Sequence, residues 1–140
     1  MTIRIAHDEE EVRQCYRVMK QLRTHLSESE YQHQVQMQRG EGYAVVYLEE
    51  EGVIKSVAGY RIMHTLAWGK CLYVDDLVTE SSERSKGYGK QLFEWLVRVA
   101  RDAGCDQFHL DSGVQRFGAH KFYLGMNMQI RSHHFSMTLK

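Results

Sequence analysis

The spacing of apolar residues changes period several times along the chain, and each change marks an element. Ile3 and Ile5 alternate with polar neighbours, which predicts a short half-buried strand over residues 2–6. Val12, Cys15, Tyr16, Met19, Leu22 and Leu26 then recur at steps of three or four. That is the apolar stripe of a helix running from a cap at Asp8 to about His25, with Glu9, Glu10 and Glu11 in the first turn where the helix dipole favours anions. Ser27 followed by Glu30 has the spacing of a capping box and opens a second helix to about Arg39, which Gly40 and Gly42 stop. Strands are expected over 43–48 and 53–64, joined by the turn Glu49-Glu50-Glu51-Gly52, and over 70–79 after Trp68-Gly69. Leu92, Trp95, Leu96, Val99 and Ala103 line one face of the clearest helix, 88–103, ended by Gly104. A short strand at Gln107–Leu110, a helix at 115–124 and a final strand at 129–139 complete the pattern. This order reads as an α/β fold with a meander in its middle and strand–helix–strand crossovers after it.

Composition narrows the class. The 140 residues hold no repeat, low-complexity stretch or linker, so 1–140 is expected to be a single domain. Hydrophobic residues at 43% and charged residues at 26% are ordinary for a globular chain. No apolar run approaches the ~20 residues that span a bilayer, and the opening MTIRIAHDEEE turns acidic where a signal peptide needs an apolar segment. Cys15, Cys71 and Cys105 lie far apart without C-x-x-C spacing, which suits reduced thiols in a cytoplasmic protein. The eight histidines include no His-x-x-x-His pair, so no metal site is expected. A formal net charge of zero argues against nucleic acid and membrane surfaces as partners. The charge is nevertheless uneven: residues 1–83 carry 9 Lys/Arg against 14 Asp/Glu, a net of −5, and residues 84–140 carry 9 against 4, a net of +5.

The sign changes at the most informative segment, Arg84-Ser85-Lys86-Gly87-Tyr88-Gly89-Lys90, which joins a strand to the long helix. Two glycines let backbone approach a ligand closely, the helix aims free N–H groups at the same spot, and three cations flank them. Such a loop suits a phosphate or pyrophosphate. A P-loop would need Ser or Thr after Lys90, where Gln91 stands, and a dinucleotide fingerprint would need Gly where Leu92 stands.

Arg84-x-x-Gly87-x-Gly89, lying between the fourth strand and the third helix, resembles the pyrophosphate loop of the GCN5-related N-acetyltransferases (GNAT), and the element order resembles that family over the whole chain. The resemblance implies the GNAT fold: a mixed central sheet in which a bulged fourth strand splays from the fifth and holds acetyl-CoA in the gap. It implies that Leu77, Val78 and Thr79 offer backbone groups to the pantetheine arm, and that Ser85, Lys86, Gly87, Tyr88, Gly89 and Lys90, with Arg84, hold the pyrophosphate. Ala119-His120-Lys121-Phe122-Tyr123 resembles the family's Ala-x-x-Phe-Tyr helix, which assigns Tyr123 as the donor to the CoA sulfur. The family's following Gly-Phe is here Asn127-Met128, and Arg116 stands where an asparagine is frequent.

Acetyl transfer to an amine also needs an acceptor for the amine proton. Asp75 and Asp76 precede the cofactor strand residues; strand alternation sends them to opposite faces, with Asp75 in register with Leu77. Asp111, His120 or a chain of waters are alternatives. The expected function is transfer of acetyl from acetyl-CoA to a primary amine, on a small molecule or a protein. The resemblance implies that the helical region holding Glu28 and Glu30 helps form the acceptor side, where they would draw a cationic acceptor such as a polyamine, a lysine side chain or an aminoglycoside. A module of the same fold that binds CoA or acyl-CoA without catalysis, as a sensor or docking domain, is the alternative. A homodimer would be ordinary for the resemblance.

Overall fold

The chain leaves its first strand, β1 (Thr2–Ile5), through a reciprocal cap in which Asp8 accepts from the Glu11 N–H and the Glu11 side chain accepts from the Asp8 N–H. The computed structural model describes residues 1–140. Helix α1 (Glu9–Gln14) follows, and the helix expected to run to His25 is instead divided. At Cys15 the backbone tightens into three-residue bonds, Cys15 N–H to Val12 O and Val18 N–H to Cys15 O, before α2 (Tyr16–Met19). Residues 20–26 are turns, held partly by the Tyr16 hydroxyl donating to Leu26 O at 2.7 Å. Ser27 and Glu30 form the expected capping box at the start of α3 (Glu28–Arg39).

Three long strands follow: β2 (Tyr43–Glu50), β3 (Val53–Thr65) and β4 (Gly69–Thr79). A 3₁₀ turn at Ser81–Glu83 leads through the glycine loop into α4 (Tyr88–Asp102), then β5 (Gln107–Leu110) and α5 (Phe117–Gly125). The sheet order is β1-β2-β3-β4-β5, antiparallel from β1 to β4, with β5 parallel to β4. The α4 crossover between two parallel strands is what makes the sheet mixed.

Two compact units make up the chain, Met1–His109 and Leu110–Lys140. In the first, β2 is buried on both faces. Tyr43, Val45 and Tyr47 join Val12, Cys15, Val18 and Met19 of the first two helices and Tyr31 and Val35 of α3 in one cluster. The apolar stripe of α4 buries Leu92, Phe93, Leu96 and Ala100, and α4 packs on β3 and β4. In the second unit, α5 is the one regular element that follows β5. The expected strand at 129–139 is absent: all its residues from Gln129 onward are exposed and irregular, because a strand exists only when another strand accepts its backbone bonds. No helix is long and apolar enough to cross a membrane.

Candidate active site

One register shift organises the site in the first unit. Gly59 pairs with Asp76 and the next residue, Tyr60, pairs with Val74, so Asp75 has no partner on β3 and forms a bulge in β4. The bulge cancels the alternation expected of neighbouring strand residues. Asp75 and Asp76 therefore both line one cavity of about 580 Å³, together with Arg23, His25, Tyr31, Gln34, Gln38, Tyr43 and Tyr73.

Each carboxylate has its own arginine. Arg61 on β3 meets Asp75 through two parallel bonds, Nε to Oδ1 at 3.0 Å and Nη2 to Oδ2 at 2.8 Å. Arg23 donates from Nε to Asp76 Oδ1 at 2.7 Å and from Nη2 to the Asp75 carbonyl at 2.8 Å. The Tyr43 hydroxyl donates to Asp76 Oδ2 at 2.6 Å. Asp76 is thus engaged at both oxygens with its side chain only 10% exposed, whereas the Asp75 side chain keeps 23% exposure. Burial pushes the Asp75 carboxyl above the usual aspartate range, against the opposing pull of Arg61. Burial and the adjacent Asp76 hold the Tyr43 phenol protonated far up the pH scale.

Arg23, Arg61 and Tyr43 meet the two aspartates in the candidate site, and spacing along the chain did not mark them. One signal was present: Gly59, a glycine inside an apolar strand, where a Cβ would lie 1.8 Å from the Tyr43 hydroxyl. Glu28 and Glu30 are not among the residues lining the cavity. Glu28 sits 3.7 Å from Arg13, and Glu30 is spent on the α3 cap.

Beyond Asp76, β4 carries Leu77, Val78 and Thr79 opposite Ala58, Val57 and Ser56. Val78 is in the core, Leu77 and Thr79 are half-buried, and the Thr79 and Ser56 hydroxyls lie 3.1 Å apart. Lys55 ties this end of the strand to the loop, accepting the Glu80 N–H at its carbonyl and meeting Glu83 Oε1 at 2.8 Å through Nζ. The loop itself has left-handed backbone at Ser85 (φ +69°) and Gly87 (φ +87°). Gly87 caps α4 without a side-chain bond, and the first helical bond is Gln91 N–H to Gly87 O. The N–H groups of Tyr88, Gly89 and Lys90 hence have no acceptor within the helix. Gly89 lets the helix start against β4, since a Cβ there would sit 3.0 Å from Thr79 Oγ1.

Two of the three loop cations face a carboxylate, and Arg84 meets a backbone carbonyl. Arg84 donates to the Thr79 carbonyl at 3.4 Å, Lys86 meets Glu83 at 2.8 Å and Lys90 lies 3.9 Å from Glu94. Tyr88 donates to Glu50 at 2.6 Å, which pushes its phenol up to about 12.

In the second unit, Tyr123 stands on α5 with its ring edge-on to Phe122, and Arg116 at the N-cap hydrogen-bonds to it. Burial raises the Tyr123 phenol and Arg116 counters that rise. His120, an alternative proton acceptor, has Nε2 2.7 Å from the Gly113 carbonyl, and Asp111 lies 3.5 Å from His134. Asn127 takes positive φ (+67°), the left-handed role that the family's glycine has in the resemblance.

The model of the acetyltransferase (GNAT) family matches residues 9–126. This chain belongs to that family. Among curated GNAT relatives, the uncharacterized N-acetyltransferase YhdJ of Bacillus subtilis (strain 168) is 36% identical over 128 residues, covering 90% of each chain. Solved structures share the GNAT fold at low identity. Glucosamine-6-phosphate N-acetyltransferase from Arabidopsis thaliana superposes with a TM-score of 0.76 at 23% identity, covering 100% of both chains. The aminoglycoside N-acetyltransferase AAC(6')-Iy in complex with CoA gives 0.84 at 15% identity, covering 98% of this chain and 94% of that one.

Proposed function

We propose that this GNAT chain transfers the acetyl group of acetyl-CoA to a primary amine by direct attack, with 1–140 acting as one functional domain. The observation that carries the reading is the Arg84-x-x-Gly87-x-Gly89 loop, whose left-handed Gly87 and uncapped helix start leave backbone N–H groups for a pyrophosphate. Backbone groups of Leu77, Val78 and Thr79 pair with the pantetheine amides as an added strand would.

The acceptor enters the cavity walled by Asp75. Its neutral nitrogen attacks the thioester carbonyl, the new C–N bond forms, and the C–S bond breaks. The Tyr123 hydroxyl donates its proton to the departing thiolate, giving CoA thiol. Asp75, directly or through water, takes the proton that the nitrogen loses. Its outer lone pairs stay open beside Arg61, and its raised pKa brings it nearer the working pH of a base. Asp76 holds Arg23 and Tyr43 in place. With the cavity carboxylates each balanced by an arginine, the amine is bound by shape and hydrogen bonds as much as by charge. A cytoplasmic location agrees with three cysteines that are all free.

The test is an assay of CoA thiol release over a panel of amines, run beside a thermal titration with acetyl-CoA. Acetyl-CoA is expected to raise Tm, and at least one amine to release thiol, with Tyr123→Phe slower by about 10²-fold or more. No Tm rise at millimolar acetyl-CoA overturns the reading. Binding without thiol release from any amine favours the sensor module instead.

A further inference from the structure

The charges around the acceptor cavity set a condition on what enters it. Asp75 and Asp76 are its lining acids, and each is paired with an arginine, so the wall carries no excess of negative charge. Neither Glu28 nor Glu30 lines it. Asp76 has both oxygens engaged, by Arg23 and by Tyr43. Of the two acids, Asp75 is therefore the one with lone pairs left for an amine. A second cationic centre on the acceptor would lose its water without gaining a counter-charge, which is costly.

Hydrogen-bond donors are more plentiful there. Arg23 donates from Nε to Asp76 and from Nη2 to the Asp75 carbonyl. A guanidinium carries further N–H donors beyond these. With 41% of the Arg23 side chain exposed on the cavity wall, they remain for a ligand. Gln34 and Gln38, one helical turn apart on α3, line the same cavity with amides that donate and accept alike. The bond from Arg23 Nη2 to the Asp75 carbonyl sets the guanidinium against the very residue whose carboxylate faces the amine. One small acceptor can thus reach both, provided few bonds separate its amine from its anion. A fork of N–H groups fits two oxygens of a carboxylate or a phosphate. Met19, Leu26 and Val35 supply apolar wall for the rest of such a molecule.

We propose that the acceptor is a small primary amine carrying an anionic oxygen group, a carboxylate or a phosphate, close to its nitrogen, and that Arg23 selects it. This inference rests on the acetyl-transfer reading and names the acceptor's class: free amino acids or short aminoalkyl phosphates, and not polyamines. The nitrogen stands at Asp75, and the anion takes the open N–H donors of Arg23 with the Gln34 and Gln38 amides beside it. Arg23 determines specificity and touches no reacting atom. An acceptor of this kind brings one anion to one open arginine, so the charge of the filled cavity stays balanced when the amine is neutral and ready to attack.

Steady-state release of CoA thiol with matched acceptors tests it. L-phenylalanine and L-methionine are compared with their carboxamides, 2-aminoethyl phosphate with ethanolamine, and all of them with spermidine. At least one anionic acceptor is expected to exceed its neutral partner by about tenfold or more in kcat/KM, chiefly through KM, and the pair that does so identifies the anion. Arg23→Gln is expected to bring that ratio close to one, and Arg23→Lys, which keeps the charge but loses the fork, to leave it in between. Arg23 also supports Asp76, but a merely structural loss lowers both members of a pair alike and leaves their ratio unchanged. If Arg23→Gln does not fold, the wild-type ratios and Arg23→Lys decide. Neutral amines or spermidine used as well as the anionic acceptors, or a ratio that the Arg23 variants leave intact, overturn the proposal while acetyl transfer stands. Thiol release from no amine at all overturns both.

Discussion

The Tyr43 hydroxyl reaches Asp76 by passing over Gly59, which is paired with Asp76 on the neighbouring strand. A hydrogen at position 59 is therefore a condition for the Tyr43–Asp76 bond. Gly59→Ala is expected to displace the ring and destabilise the fold by about 1–3 kcal/mol. That corresponds to a fall in Tm of several degrees, read by calorimetry. A variant that melts with the wild type would show that Tyr43 has another place to go.

The two carboxylates of the cavity are expected to separate by experiment. Asp75→Asn removes the proposed proton acceptor and should lower kcat by about 10²-fold or more, with loss of the acidic limb of the pH profile. The sign follows from the raised pKa: the charged base accumulates as pH rises through a value above the usual aspartate range, so wild-type activity climbs there. Asp76→Asn instead weakens the supports of Arg23 and Tyr43 and should lower stability by about 1–3 kcal/mol. Stopped-flow or steady-state kinetics beside thermal melts distinguish the two, and reversed effects would exchange the assigned roles.

Glu80 anchors the approach to the glycine loop. It accepts from Gln21 at 3.0 Å and from the Ser82 N–H at 2.6 Å, also binds the Ser82 hydroxyl, and is held down to a pKa of about 2 chiefly by these bonds. A carboxylate lowered on folding stabilises above its ordinary value of 4.5, and that contribution disappears as pH falls through about 2. The Tm advantage of wild type over Glu80→Gln should be constant near neutrality and vanish toward pH 2. An advantage that widened on acidification would contradict the linkage.

Arg116 opposes the burial that raises the Tyr123 phenol. Arg116→Gln is expected to move the Tyr123 titration to higher pH, measured by ultraviolet difference titration with Tyr123→Phe as the blank. A midpoint that stays or falls would remove Arg116 from any part in setting the Tyr123 phenol.

Legibility in the sequence followed the range of the interactions. The α3 capping box and the Gly104 stop (φ +74°) were readable because each is decided within a few residues. Division of the first helix at Cys15 was not, since the stripe from Val12 to Leu26 continues unbroken in sequence while residues 20–26 turn to carry Arg23 toward Asp76. The strand expected at 129–139 has the right alternation, but alternation describes a face and supplies no partner.

The candidate site divided along the same line. The glycine loop is a contiguous motif, and its Gly87 takes left-handed backbone at the start of α4. Arg23, Tyr43 and Arg61 come from three separate elements and meet the aspartates only through the fold. Their sequence separations of 53, 33 and 14 residues exceed any local pattern.

The unpaired Asp75 gives the cavity an unusual kind of protection. A substitution changes which side chain stands at a position, but it leaves the count of residues between Tyr73 and Leu77 untouched. With one residue fewer there, β4 would run in plain register against β3, and its next side chain would turn to the opposite face. The pairing of two acids on one wall is thus stored as a length, which point mutation can alter in chemistry but cannot erase.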